Sequence, residues 1–311
     1  MRRTLFLVPS HELSIFVRGT TRRAEYGLQL AQERVGSSQL LDKLLNDVLD
    51  VLNQPRTRNQ VATALKEEYG YRLKLKAGGG WGDSRTVPHV EVGGVSFSIG
   101  FLLHVIGARE AICSGPSAGN ESTYVRADRW LPNWKEVSRE EAEEELLNKY
   151  LRAFGPASVV DFAMWMGLYV RDARKLWLRA TERVAQVDIG GRRAEVLESD
   201  LSDLKSATLN PPVVHLLPNF DTYLLGHKSH LDLVDEGHRK KVYRPQGWVS
   251  PVVLVNGRAV GVWSFHARNT GLEVRVASFS KLGSGVTSKL REKGSELGEF
   301  VGIPNTRTVI T

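Results

Sequence analysis

The sequence predicts an α+β protein in which helix-turn-helix units carry β-hairpins and a β-rich region follows. Three observations predict it. Apolar residues recur at three and four through the first two thirds, as at Leu41, Leu44, Leu45, Val48, Leu49 and Leu52. Two-residue turns, Gly190-Gly191 and Asn256-Gly257, each join two apolar-rich runs as hairpins do. After Asn210-Pro211-Pro212 the helical pattern gives way to strands.

The chain has 311 residues, which at roughly 150 residues per domain suggests about two domains. With 41% hydrophobic and 25% charged residues the composition is that of a soluble globular protein, and a mainly disordered chain is excluded. Cys113 is the single cysteine, so it closes no internal disulfide and builds no cysteine-based zinc site. No run of ~18 apolar residues is present, so no membrane span is expected. Arg2 and Arg3 precede an apolar stretch too short for a signal peptide, and the expected compartment is the cytoplasm. Lys plus Arg is 42 against 35 for Asp plus Glu, a formal charge of +7. Such a balance suits a polyanionic partner, or simply a solvated basic surface.

The elements follow in order. Thr4 to Val8 reads as a short strand, and His11 to Val35 as a helix with Arg18, Arg22 and Arg23 on its polar side. Ser37 or Ser38 caps a helix to Leu52, which Pro55 ends; Thr57 caps the next, to Tyr69. Lys76 to Ser84, with four glycines, reads as a loop. Val95 to Val105 is expected to be a third helix. Glu110 to Cys113 and Ser122 to Arg126 are expected to pair around a turn-rich tip. That order, three helices and then a hairpin, is the winged-helix arrangement.

The same order recurs from Ser138, which forms a capping box with Glu141 and opens a helix to Phe154. Gly155-Pro156 stops it, Ser158 to Met166 is a short helix, and Val170 to Arg183 is a third. Val184 to Ile189 and Arg192 to Leu197 form the hairpin wing. In the third helix Val170, Ala173, Trp177, Ala180 and Val184 form an apolar stripe. Arg171, Lys175, Arg179 and Arg183 stand four apart on one face, with Arg174 beside them. Like charges at that spacing repel by a few tenths of a kcal/mol per pair. A phosphate backbone reverses the sign, because each cation displaces a condensed counterion. With the wing's Arg192 and Arg193, this face is the candidate DNA contact; a solvated face relieved by Asp172 and Glu182 is the other reading.

Beyond the linker, Val213 to Leu217, Val249 to Val255, Arg258 to Phe265 and Leu272 to Phe279 are predicted strands, and Gly285 to Val301 a closing helix. Arg239, Lys240, Lys241 and Arg244 form a basic run around Tyr243, fitting either a nucleic-acid groove or a solvated loop. His215, His227, His230 and His238 cluster near Asp221, but no pair has the helical His-x-x-x-His spacing of a zinc site. They read as DNA-facing or plain loop histidines. Gly78 to Gly82 lacks the Lys-Ser/Thr of a phosphate loop. Trp165 and Trp177 fall at helical core positions. No cofactor and no metal is expected.

Several long motifs resemble a known family. They are Trp130-Leu131-Pro132; Tyr150-Leu151-Arg152-Ala153-Phe154-Gly155-Pro156-Ala157; Asp161-Phe162 with Trp165 and Gly167; and Leu216-Leu217-Pro218-Asn219-Phe220-Asp221-Thr222-Tyr223-Leu224-Leu225-Gly226-His227. Gly247-Trp248-Val249-Ser250-Pro251 through Val255-Asn256-Gly257-Arg258, then Val260-Gly261-Val262-Trp263, completes the set. They are similar to bacterial winged-helix DNA-binding proteins that include the glycosylases unhooking alkylation crosslinks. Arg2-Arg3-Thr4-Leu5-Phe6-Leu7-Val8-Pro9 resembles that family's R-x-T-L segment.

The resemblance implies tandem winged helices around a concave basic surface with a β-rich C-terminal part. It divides the chain into 1–37 (remnant of a first winged helix and connecting helix), 38–132 and 133–209 (winged-helix units) and 210–311 (β-rich domain). It implies double-stranded DNA as partner and excision of alkylated or crosslinked purines as the family's chemistry. That chemistry uses Gln-x-Gln or Gln-x-Asp to position water. The motif normally lies upstream of the R-x-T-L segment, so the chain is expected to lack it; Gln29 and Gln32 have two residues between them, not one. No catalytic residue is carried over, and whether the chain is itself an enzyme stays open. Asp221, Tyr223 and His227 are the candidates for cleft-facing groups. The competing class is a transcriptional regulator with a ligand-sensing C-terminal domain.

Overall fold

A computed structural model of the chain describes residues 7–78, 86–109, 112–132, 134–179, 183–209, 211–230, 232–268 and 271–311. Leu7 to Pro9 has no regular structure, and the rest of the strand expected at Thr4 lies outside the described residues. The helices and strands are, in order, α1 (Leu13–Gly19), α2 (Thr21–Val35), α3 (Ser38–Val51), α4 (Arg58–Tyr69), β1 (Arg72–Ala77), β2 (Thr86–Val92), β3 (Val95–Ser98) and α5 (Ile99–Arg109). There follow β4 (Ile112–Ser114), β5 (Tyr124–Arg126), α6 (Ala127–Trp130), α7 (Arg139–Phe154), α8 (Val159–Met166), α9 (Val170–Trp177), β6 (Val184–Ile189) and β7 (Arg192–Leu197). The last are α10 (Leu201–Ser206), β8 (Val214–Leu217), α11 (Arg239–Val242), β9 (Val252–Val255), β10 (Arg258–Arg268), β11 (Gly271–Ser278), α12 (Ser284–Phe300) and β12 (Thr306–Ile310). Helices and strands mix as an α+β fold requires. Among the described residues no helix is long and apolar enough to cross a membrane.

The chain forms two compact units, one of Met1–Lys149 with Met166–Thr181 and one of Tyr150–Trp165 with Glu182–Thr311. In the first, Ser37 caps α3 through the Leu40 amide, and Thr57 and Gln60 form a reciprocal capping box on α4. Leu41, Leu44, Leu45, Val48 and Leu52 pack with Val61, Leu65, Ile99, Leu102 and Ile106 in one core. Each such buried side chain contributes about 1.5–3 kcal/mol.

Three expectations for this unit are corrected. The predicted helix at 11–35 breaks at Thr20, because the Thr20 and Thr21 hydroxyls each donate at 2.7 Å to a carbonyl one turn back. The predicted helix at 95–105 opens as a strand. Gly93 and Gly94 turn with positive φ, and Phe97 points into the core from β3. The predicted loop at 76–84 begins inside β1, and 79–85 lies outside the described residues. The order of three helices and a hairpin therefore occurs one element earlier, as α2, α3, α4 and β1–β2, with β3 the third strand.

A buried carboxylate holds α2 to α7 in the same unit. Glu143 is fully buried and meets Arg22 at 2.5 Å, Arg139 at 3.1 Å and Arg179 at 3.6 Å. The hydrogen bond to Glu143 outweighs desolvation and raises the Arg22 pKa further. Helix α9 also departs from expectation, ending at Trp177 instead of Arg183. The Arg179 amide bonds to the Leu176 carbonyl at 3.0 Å, an i→i+3 closure that tightens the last turn. Ala173, Leu176 and Trp177 form its buried face, whereas Val170 is exposed.

In the second unit Tyr150, Phe154, Phe162 and Trp165 form an aromatic cluster. Trp165 is buried, as is Trp177 in the first unit, so both take the core role expected of them. Gly190 and Gly191 turn β6 into β7 with positive φ at both positions. The sheet runs β12-β11-β10-β9-β8. Asn256 and Gly257, at φ of 49° and 81°, make its β9–β10 turn. Strand β9 begins at Val252, after Pro251, whose ring supplies no amide hydrogen for pairing. Strand β12, unforeseen in sequence, pairs parallel with β11 after α12 crosses over the sheet. Leu290 of α12 packs on Val253, Val274 and Val276.

Candidate nucleic-acid interface

An open cleft of about 680 Å³ lies in the second unit. Its floor is largely apolar, from Phe154, Ala157, Val160, Ile189, Ala194 and Leu233. Arg192, Arg193, Lys228 and Arg258 rim it, against Asp161 and Asp232. Local structure explains each placement. Arg192 and Arg193 open β7 immediately after the glycine turn, and Arg258 opens β10 after Asn256-Gly257. Arg192 pairs with Asp232, which raises its pKa, and Arg258 pairs with Asp235.

The segment 226–228 is fixed from below. Tyr150 donates its hydroxyl to the Gly226 carbonyl at 2.9 Å. A Cβ on Gly226 would stand 2.3 Å from the Phe154 ring, so only glycine fits. His227 Nε2 donates to the Pro156 carbonyl at 3.3 Å. The Lys228 amide donates to Asp161 Oδ1 at 2.8 Å, while Asp161 Oδ2 accepts the Ser158 hydroxyl at 2.5 Å and the Ser158 amide at 3.0 Å. Burial would raise the Asp161 pKa, but these hydrogen bonds and nearby His227 outweigh it and hold the carboxyl below its ordinary range. An ionised acceptor thus carries the loop that presents Lys228.

Of the residues expected from sequence, Arg192, Arg193, Tyr223 and His227 line this cleft. Tyr223 donates to the Gly257 carbonyl at 3.2 Å, and burial raises its pKa. Asp221 does not line the cleft; it caps the short helical turn at Thr222–Leu225 by accepting the Tyr223 amide at 2.9 Å. Arg239 and Lys240 border a separate shallow recess with Glu236 and Tyr243. Lys241 lies over the Phe279 ring, and Arg244 is exposed. His230 stacks on Tyr243 and His238 on Phe279, which gives both packing roles.

In the first unit Arg171, Arg174 and Lys175 are exposed on α9, and Arg171 leans over the Tyr169 ring. The four-apart row expected there stops at Lys175, because the helix ends before Arg179. Arg179 faces Glu143, and Arg183, in the second unit, is exposed just before β6. Asp161, Lys228, Asp232 and Arg258 were missed. Only the Ser158-x-x-Asp161 cap and the basic residue after Asn256-Gly257 signalled any of them locally. One Gln-x-Asp spacing does occur, at Gln186-Val187-Asp188, contrary to the expected absence. It lies on β6, and Asp188 accepts the Gly191 amide at 2.9 Å, which makes it part of the hairpin turn.

Comparison with known proteins gives the class: the chain is DNA-glycosylase-like. The profile described as DNA glycosylase AlkZ-like matches residues 1–300, and the chain belongs to that family, which includes crosslink-unhooking glycosylases. It is 31% identical over 232 residues to an interstrand DNA cross-link repair glycosylase of Streptomyces sahachiroi, a match covering 72% of this chain. The chain spans 57% of the length of that curated relative. The solved structure of Streptomyces sahachiroi DNA glycosylase AlkZ superposes with a TM-score of 0.78 at 24% identity, covering all of this chain and 80% of that one. That likeness establishes a shared fold.

Proposed function

We propose that the chain binds double-stranded DNA carrying alkylated or crosslinked purines, with its second-unit cleft against the DNA. The cleft's composition carries the reading. An apolar floor suits the faces of bases or sugars, and Arg192, Arg193, Lys228 and Arg258 at the rim suit phosphates. The basic residues of α9 add contacts of the kind expected from a helix set against a backbone. Excision of the damaged base, the activity in the curated relative's name, comes to this chain as part of the same proposal. The division into 1–37, 38–132, 133–209 and the β-rich 210–311 belongs to the same proposal, except that the order of three helices and a hairpin joins α2 to the 38–132 unit. The regulator alternative finds no support in the comparisons.

Titration of a fluorescent duplex tests the binding. The Arg192→Gln, Arg193→Gln and Lys228→Gln triple variant is expected to bind at least about tenfold more weakly at 100 mM salt, from three lost phosphate contacts. Equal binding by variant and parent defeats the cleft assignment. Incubating the parent with a crosslinked duplex and looking for separated strands on a denaturing gel tests excision.

A further inference from the structure

The three-stranded sheet β1-β2-β3 of the first unit has two unlike faces. Leu73, Val90 and Phe97 belong to the face on the core. The opposite face begins at the sheet's edge with Arg72, Lys74 and Lys76, all exposed, alternating along β1. Behind them the register places Glu91 opposite Arg72 and His89 opposite Lys74, then Ser96 and Ser98 on β3. Among the described residues Glu91 is the acid of this face. It pairs with Lys74 at 2.6 Å, a hydrogen bond that, with Arg72 and Lys76 close by, lowers its pKa. Three exposed cations thus meet one carboxylate, while the Ser96 hydroxyl is buried and the Ser98 hydroxyl accepts the Phe101 amide at 3.1 Å.

We propose that this outer face of β1 is a second phosphate-contacting strip, in which Arg72, Lys74 and Lys76 follow one strand of a DNA backbone. The proposal rests on the DNA-binding reading above and adds a surface outside the cleft and outside α9. Spacing supports it. Alternate residues of a strand stand about 6.7 Å apart on one face, close to the separation of successive phosphates along one DNA strand. Sign supports it too, since the strip keeps an excess of positive charge after Glu91 is counted. The other use of lysines on an edge strand is to block pairing with a second sheet, and the two uses predict different measurements.

The test is duplex binding by the full chain across 50 to 200 mM NaCl. Arg72→Gln/Lys74→Gln/Lys76→Gln is expected to weaken binding and to flatten the plot of log affinity against log salt by about 2 to 3 units, roughly 0.9 for each phosphate released. Glu91→Gln frees Lys74 and is expected to tighten binding about two- to fivefold at low salt, the worth of an exposed ion pair; a misfolded variant does not gain affinity. An unchanged slope in the triple variant, or no tightening in Glu91→Gln, overturns the proposal. So does a triple variant that keeps its slope but self-associates, which is the edge-guard outcome. If the parent itself binds no duplex, the broader DNA-binding reading fails instead.

Discussion

Asp161 shows how much one side chain arranges in the cleft. Its two oxygens serve Ser158 at the start of α8 and the Lys228 amide 67 positions away. Its pKa lies below the unfolded value of about 3.9. Its stabilisation is therefore complete above that value and is lost as pH falls through the lower, folded one. Asp161→Asn is expected to cost about 1–2 kcal/mol at pH 7, a discounted value for charge-assisted bonds in a half-buried site. The gap between variant and parent should narrow as pH falls below about 3.9; urea unfolding along a descending pH series measures it. Gly226→Ala pushes a methyl into the Phe154 ring and is expected to cost about 1–3 kcal/mol, seen as a lower Tm together with weaker duplex binding.

At the scale of elements, α9 and the Glu143 cluster separate two roles that the sequence merges. Arg171, Lys175 and Arg179 share a four-residue spacing, but only the first two lie on the helix. Neutralising Arg171, Arg174 and Lys175 to Gln should flatten the salt dependence of DNA binding by up to about 2 to 3 units. Arg179→Gln should leave that slope nearly unchanged and lower stability instead. Glu143→Gln leaves Arg22, Arg139 and Arg179 without their shared anion and should cost about 3–5 kcal/mol, read by chemical denaturation. Elements whose signals are local were legible in sequence: the Ser138–Glu141 cap formed, with the Glu141 amide 3.2 Å from the Ser138 hydroxyl, and both predicted hairpin turns formed. The end of α9 was not legible, because Arg179 to Arg183 continues a helical pattern of charge and spacing. The Asp161–Lys228 contact was invisible for a different reason: nothing near either residue specifies the other.

Over the whole molecule the formal charge is +7, and exposed basic residues gather on three elements or sites. The cleft rim, α9 and the strip on β1 each carry three or four cations. If about six phosphates are neutralised in all, affinity for duplex should fall roughly a thousandfold between 50 and 200 mM salt. A fall of less than tenfold by anisotropy titration would mean that most of these cations meet solvent instead.

The boundary between the two compact units is crossed at 149, 165 and 181, and two of those crossings fall inside the helices α7 and α8. No single cut of the polypeptide therefore separates the two units with both intact. A gene fragment ending at 149 or 165 encodes an incomplete first unit, and one ending at 181 carries the first unit with a piece of the second; exchange with a relative at one breakpoint likewise divides a unit. The natural cassette for recombination or subcloning in this protein is the whole interleaved stretch.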